Sequence, residues 1–305
     1  MPQSTQFSSK ESLFQRHIKR KLIGIFKYLT ENAMPIFTRG GDDISITPQI
    51  FGHYELRVKE LIDFYASQGN QDFLIDIGAN IGLTTCQSGN LFKEVHCYEP
   101  NPNCFKILEV NTQIVLNKCK IFLNQFGLGS EKFETTLFVP GSNWGGAFVH
   151  DQHNSYSDDE LGRKDGHQGF DPSKYSQVPI QIKDGVEVLS DLFNSLKSRN
   201  LTNGFIKIDV EGYEPVIIQS IAKSVPNGMH IIILFECFTK DFQPDSLLSD
   251  FKGDAEAFKL IRFPEKHMPK LKRIWRVITQ GGYIYKVSKF DALSNSTDII
   301  FIVKT

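Results

Sequence analysis

The chain runs to 305 residues, with 34 Lys plus Arg against 35 Asp plus Glu, a net charge of −1 and 40% hydrophobic residues. That length holds one large domain or two small ones. The composition is that of an ordinary globular chain, which excludes global disorder, a collagen repeat and a surface that grips nucleic acid over its whole extent.

No nucleic-acid partner is therefore expected. The five cysteines contain no CxxC pair, so neither a disulfide framework nor a zinc knuckle is indicated and a reducing compartment fits. The longest apolar run, MHIIILFECF at 229–238, falls well short of the ~20 residues that span a bilayer. The opening MPQSTQFSSKESLF lacks the pattern of a signal peptide. The expected location is the cytoplasm.

In chain order, residues 10–30 place Phe14, Ile18, Leu22, Ile25 and Leu29 at helical spacing. Around them Lys10, Arg16, Lys19, Arg20, Lys21 and Lys27 stand against the single acid Glu11. Such a helix either lies on the anionic inner face of a membrane or packs its stripe on the core, and the second is the expectation. A second helix over 53–68 carries Tyr54, Val58, Leu61, Ile62 and Tyr65 and stops near Gly69 and Asn70.

Short apolar runs follow at 73–77, 94–98, 119–125, 205–208 and 230–236, separated by helical stretches. Runs this continuous suit a mainly parallel sheet covered by helices on both faces. Segments 281–287 (GGYIYKV) and 298–304 (DIIFIVK) predict a closing C-terminal antiparallel hairpin. The expected architecture is an α/β, Rossmann-like domain over 51–305, preceded by a helical extension over 1–50. Residues 150–176 are polar and too long for a routine connection, which marks an insertion, of the kind found as lids, binding loops or disordered segments, and not a domain boundary.

The chemistry concentrates at strand ends. FLIDIGANIGLTT (73–85) sets Asp76, Gly78, Asn80 and Gly82 as D-x-G-x-N-x-G between a strand and a helix. Its glycines let the backbone turn tightly against a ligand. The spacing departs from the dinucleotide fingerprint, and Asp76 suits a cationic ligand better than a pyrophosphate. Glu99, in YEPN, follows Asp76 by 23 residues, where a carboxylate accepts from both hydroxyls of a ribose. IKIDVEGYE (206–214) brings Lys207, Asp209, Glu211 and Glu214 to the end of a further strand. Alternation puts Lys207, Asp209 and Glu211 on one face if the strand extends that far.

These three motifs in this order resemble class I S-adenosylmethionine-dependent methyltransferases, and more narrowly the FkbM family, over residues 51–240. The resemblance implies that Asp76, Gly78, Asn80 and Gly82 hold the amino acid half of the cofactor. It gives Glu99, with Asn101 in the same turn, the ribose, and Asn124 and Gln125 the adenine. Asp209 or Glu211 is the candidate general base for an acceptor hydroxyl. Lys207 tunes a neighbouring carboxylate or holds an anionic group.

GHYE (52–55) is also similar to a family feature, which turns His53 or Glu55 toward the substrate, with Glu236 at the end of LFE beside them. PGSNWGGA (140–147) forms a neighbouring glycine-rich loop, and the family's Leu-Asp pair stands here as Leu189-Ser190-Asp191. Asp209, Glu211 and Glu236 have the oxygens a divalent metal prefers, but no spacing demands one. His150, His153 and His167 read as surface residues of the insertion.

A second basic stretch, 262–276, sets Arg262, Lys266, Lys270, Lys272, Arg273 and Arg276 against Glu265. Both basic stretches suit an anionic acceptor or a membrane surface. The expected activity is S-adenosylmethionine-dependent O-methylation of a sugar hydroxyl, in a cell-surface glycan or its precursor and so in polysaccharide biosynthesis. The rival is a non-catalytic methyltransferase-like module that docks a partner or a membrane. The acceptor, the base, metal dependence and oligomeric state stay open at this point.

Overall fold

The computed structural model describes residues 13–40, 42–141, 143–237, 243–263, 268–280, 284–290 and 298–305. Lys10, Glu11, Glu265, Lys266 and residues 281–283 lie outside the described residues. Three helices come first, α1 (Leu13–Leu29), α2 (Asp43–Phe51) and α3 (Leu56–Ser67). A β-α-β-α-β run follows: β1 (Phe73–Ile77), α4 (Leu83–Ser88), β2 (Glu94–Tyr98), α5 (Pro102–Val115) and β3 (Lys120–Asn124). Next come β4 (Gly127–Gly129), β5 (Phe133–Pro140), β6 (Phe148–Val149), α6 (Asp158–Lys164) and β7 (Tyr175–Asp184). The chain ends with α7 (Gly185–Ser198), β8 (Asn203–Ile208), α8 (Glu214–Ser224), β9 (His230–Glu236), α9 (Asp245–Leu248), β10 (Asp254–Phe263), α10 (Lys270–Gln280), β11 (Ile284–Lys289) and β12 (Asp298–Lys304).

The main sheet has the order β11-β10-β12-β9-β8-β1-β2-β3. From β9 to β3 every pairing is parallel, and β12, β10 and β11 close it antiparallel. The fold is thus the expected Rossmann-like α/β sheet with an antiparallel C-terminal end. The two predicted closing segments are not partners, however: β10 lies between them and pairs with both. β10 escapes a reading of the sequence because its strand residues run into a basic stretch that masks the alternation. Chain order reverses between β1, which leads to β2, and β8, which leads to β9. That switch point opens a crevice at the carboxyl ends of the strands.

Strand alternation divides the core in two. Phe73, Ile75, Ile77, Ile206, Ile208, Ile231 and Ile233 face α7 and α8, where Phe193, Ile217 and Ile218 meet them. Leu74, Phe205, Ile232, Leu234 and Ile300 face α3, through Val58, Leu61, Ile62 and Tyr65. Burial on both sides is why these strands lack an alternating polar pattern. At the amino end of the sheet Asp72 accepts from Thr202 N (2.9 Å), Asn203 N (3.0 Å) and Lys93 Nζ (2.7 Å). Burial pushes this carboxyl up, but the bonds outweigh it and hold the group below the usual carboxylate range.

The segment after β3 builds a second, four-stranded sheet, ordered β4-β7-β5-β6. Its Leu128, Leu137, Val139, Ile180 and Ile182 join the main core. The polar insertion connects β6 to β7 and is held by an aromatic cluster of Phe148, Tyr156 and Tyr175 with Phe138 and Phe170. Asn154 fastens it to the end of β8, donating to Glu211 O at 3.0 Å, while Ser155 N donates to Gly212 O at 2.9 Å.

The expectation for the first helix fails. Leu22 is 53% and Ile25 58% exposed, and Ile18 and Leu29 are exposed as well, so among the described residues the stripe of α1 is not buried in the core. The segment around Phe37 behaves differently: Asn111 of α5 bonds both Phe37 N (2.6 Å) and Phe37 O (3.0 Å), which ties this segment to the domain. No described helix is long and apolar enough to cross a membrane.

Candidate active site

The glycine turn lies at the switch point. Beyond β1 the N–H groups of Gly78 and Ala79 donate to Tyr98 O (2.9 and 3.1 Å), and Asp209 N donates to Ile77 O (2.9 Å). Gly78 has φ +82°, and a Cβ there would stand 1.8 Å from Asp209 O. Asn80, at φ 50°, continues the left-handed turn, and Gly82, at φ 87°, starts α4. A side chain at residue 78 would collide with the neighbouring strand end, so this position admits glycine alone.

Asp76 lies wholly buried behind the turn, where Thr85 Oγ1 donates to its Oδ2 at 2.6 Å. Its Oδ1 has no hydrogen-bond donor and faces Lys207 Nζ at 3.7 Å. Asp76 and Gly82 therefore shape the turn, whereas Gly78 and Asn80 line the clefts in front of it.

Glu99 is buried at the end of β2. Its two oxygens accept from Asn80 N at 2.8 Å and Asn101 N at 2.7 Å. Burial pushes its carboxyl up to about 7, against the pull of these two bonds. Asn101 caps α5 by accepting from Asn103 N at 3.0 Å, with Pro102 at the first helical position. Glu99 lines an apolar cleft of about 670 Å³, its open mouth included, roofed by Leu137, Val149 and Ile182 of the small sheet and by Trp144 of the turn between β5 and β6. Asn124 and Gln125 line neither cleft: Asn124 Nδ2 donates to Cys97 O at 3.1 Å, and Gly127 and Leu128 occupy the cleft wall instead.

A second cleft, of about 730 Å³ with its mouth, is polar and lined by Tyr54, Glu55, Lys207, Asp209, Glu211 and Glu236. Register explains how these side chains meet. Asp76 pairs with Lys207 across β1 and β8, and Asp298 pairs with Glu236 across β12 and β9. All four share the sheet face that α3 covers, because each lies an even number of residues from an apolar member of that core. β8 ends at Ile208, so the expected alternation stops before Glu211, which turns into the left-handed region at φ 53°.

Charge at this edge is heavily paired. Lys207 Nζ donates to Asp209 Oδ2 at 3.0 Å. Burial acts to lower the Lys207 pKa, but Asp209, Asp76 and Glu55 outweigh it and hold the ammonium charged, well above the usual lysine range. Arg57 reaches from α3 to Asp298 Oδ2 at 2.9 Å and Glu236 Oε1 at 3.3 Å. Burial raises the carboxyls of Glu55 and Glu236, and neighbouring acids raise Glu236 further. Glu214 closes the loop beyond Asp209 by accepting from Val210 N (3.2 Å) and Gly212 N (2.9 Å), with its carboxyl pushed up by burial to about 8.

His53 lines neither cleft and lies beside Phe51 with ring centroids 6.1 Å apart. Its neighbour Tyr54 enters the polar cleft, and burial raises its hydroxyl above the usual tyrosine range. The glycine-rich loop reaches both clefts through Gly145, and the Arg39 guanidinium lies 4.3 Å over the Trp144 ring. Among the described residues no three of His, Cys, Asp and Glu gather to hold a metal ion. Tyr54, Arg57, Asp298 and Trp144 are the residues that sequence reasoning missed or left without a role. A charge opening an otherwise apolar strand, as in DIIFIVK, was the available signal for Asp298.

A model of the FkbM methyltransferase domain matches residues 76–285, well over half of the chain. Among solved structures, an O-methyltransferase from Bacillus cereus in complex with SAH is 10% identical, with 92% of this chain and 97% of that one covered and a TM-score of 0.41. The precorrin-8W decarboxylase of Methanobacterium thermoautotrophicum is 12% identical, covering 88% and 95%, again at a TM-score of 0.41. A precorrin-6y C5,15-methyltransferase from Geobacter metallireducens is 13% identical, covering 89% and 95%, at 0.38. Likenesses this distant carry no argument about substrate. No curated protein matches the sequence.

Proposed function

We propose, on the premise that this chain belongs to the FkbM family of S-adenosylmethionine-dependent methyltransferases, that it methylates a hydroxyl of a sugar in a cell-surface glycan or its precursor. The residues present fit the cofactor. Gly78 lets the backbone bend tightly at the edge of both clefts, Asn80 Oδ1 is a buried acceptor with no donor, and Glu99 offers a carboxylate beside an apolar cleft. Glu99 suits the ribose hydroxyls, Gly78 and Asn80 the amino acid end, and Leu128, Trp144 and Ile182 the flat adenine. When bound, S-adenosylmethionine supplies an electrophilic methyl on a sulfonium.

The observation that carries the reading is that Asp209 lines both clefts, with Lys207 fixing its carboxylate at 3.0 Å. An acceptor hydroxyl in the polar cleft meets Asp209 at the boundary, where the carboxylate takes its proton as the oxygen attacks. Glu55 and Glu236, with their raised carboxyls, hydrogen-bond neighbouring hydroxyls of the same sugar as donors or acceptors. Lys207 and Arg57 prevent the acids from repelling one another and hold them in place. The boundary of the N-terminal extension near residue 50 belongs to this reading too, as does peripheral attachment to the inner face of a membrane through residues 10–30. A non-catalytic docking module gains no support from the family match.

Calorimetry with S-adenosylhomocysteine tests the cofactor part: the wild type should bind, and Glu99→Ala should bind at least about tenfold more weakly, having lost a charge-assisted contact. Transfer of a labelled methyl group to a panel of neutral and anionic glycans tests the acceptor. Transfer to amine acceptors in place of sugar hydroxyls would overturn the O-methylation reading.

A further inference from the structure

α10 (Lys270–Gln280) exposes an apolar face that no part of the proposed chemistry uses. Leu271 is 83%, Trp275 65% and Ile278 74% exposed, and Ile274 is exposed beside them. At about 100° per residue, these four side chains fall within an arc of roughly 100°. Lys270 and Lys272 flank that arc, and Arg273 and Arg276 lie on the opposite side of the helix. No acid occurs in the helix.

We propose that α10 is an interfacial anchor that seats the protein on membranes rich in anionic lipid headgroups. The inference rests on the membrane attachment read above for residues 10–30 and adds a second anchor remote from them in sequence. An apolar arc with cations on both margins is what the interface of such a membrane accepts: the aliphatic and aromatic side chains enter the acyl boundary while the lysines reach the phosphates. Trp275 is the residue type that favours that boundary, with an apolar ring and one N–H.

Charge selects this occupant. The helix carries four cations and no acid in a chain of net charge −1, so a second copy of α10 packed across a two-fold axis would oppose like charges. A nucleic acid would meet the cations and leave Leu271, Trp275 and Ile278 in water. α1 repeats the design, with exposed Ile18, Leu22, Ile25 and Phe26 and with Lys19, Arg20, Lys21 and Lys27 around them. Each of the two helices couples an exposed apolar face to flanking cations, the chemistry that an anionic membrane surface accepts.

The test is flotation of the full chain with phosphatidylcholine vesicles and with vesicles containing phosphatidylglycerol. The wild type should float with the anionic vesicles and not the neutral ones, and binding should weaken with salt. Trp275→Glu together with Ile278→Glu should reduce binding at least about tenfold, since burying each side chain contributes an appreciable apolar term. Lys270→Glu together with Lys272→Glu should do the same, because each cation near such a surface contributes about a fivefold factor.

Circular dichroism and cofactor calorimetry should match the wild type, as these positions are exposed or at the helix start. Wild-type Trp275 emission should also shift to the blue on anionic vesicles, a change absent in Trp275→Phe. If the α10 variants float like the wild type while deletion of residues 1–30 abolishes flotation, the anchor role of α10 is overturned and attachment through α1 stands. If the wild type floats with neither vesicle, both are overturned. Equal binding to neutral vesicles overturns the anionic selection.

Discussion

The two clefts share Gly78, Asn80, Gly145 and Asp209, yet they are built in opposite ways. Apart from the shared Asp209, the apolar cleft takes its polar contacts from one local turn and one buried acid: Gly78 and Asn80 just beyond β1 and Glu99 just beyond β2. The polar cleft gathers side chains from the turn that leads into α3, from β8, from β9 and from the loop beyond β8, with Asp298 of β12 behind Arg57. The first is a backbone device that tolerates little substitution. The second is a balance of charges, in which Lys207 and Arg57 offset four acids, and single changes there should shift chemistry before they shift folding.

Gly78→Ala attacks the shared wall and should have the largest effect. The new methyl would meet Asp209 O at 1.8 Å in a left-handed backbone. Loss of detectable S-adenosylhomocysteine binding by calorimetry is expected, together with roughly 2–4 kcal/mol of stability by denaturant titration. Wild-type binding by this variant would show that the turn accepts a side chain and does not set the cofactor cleft.

Asp209→Asn should leave cofactor affinity within a few-fold and lower methyl transfer by about 10²–10⁴-fold, the usual weight of a general base. A parallel loss of binding and turnover would assign Asp209 to the cofactor cleft instead of the boundary.

Glu99→Gln should weaken S-adenosylhomocysteine binding by roughly ten- to a hundredfold. The pH profile sharpens this. The wild-type carboxyl sits at about 7, and only its ionised form accepts from both ribose hydroxyls. Wild-type affinity should therefore rise from pH 6 to 8 and level off above, while the glutamine variant stays flat across that window.

The smallest effect concerns Glu214. Its carboxyl is raised to about 8 in the folded chain, above the usual unfolded value of ~4.3. The folded state thus holds a proton that the unfolded chain has released, and its contribution to stability falls as pH rises from about 4.3 to 8. Glu214→Gln removes the titrating group while its one carbonyl oxygen still accepts from Val210 N or Gly212 N, though not both, and its melting temperature should decline less steeply over that range.

Much of the fold was legible in single runs of sequence. β1, β2, β9 and β12 occupy the residues their apolar runs mark, since burial on both faces leaves a continuous hydrophobic signature. β5 and β7 were not legible, because FETTLFVP and YSQVPIQIKD mix polar residues and proline with a half-buried face. The site divides along the same line. The Gly78 turn and Glu99 stand in short motifs, while Tyr54, Arg57 and Asp298 reach their places through pairings made far along the chain.

The sequence by itself determined the β-α-β frame, the tight glycine turn after β1 and the alternation of side chains along each strand. Those are local properties, dictated by sterics and by the two-residue period of a strand. Only the tertiary structure decided that β12 lies beside β9 with β10 beyond it, that the small sheet roofs Glu99, and that α1 and α10 leave their apolar faces bare. Strand order and helix docking depend on the burial summed over the whole molecule, a quantity that no window of sequence contains.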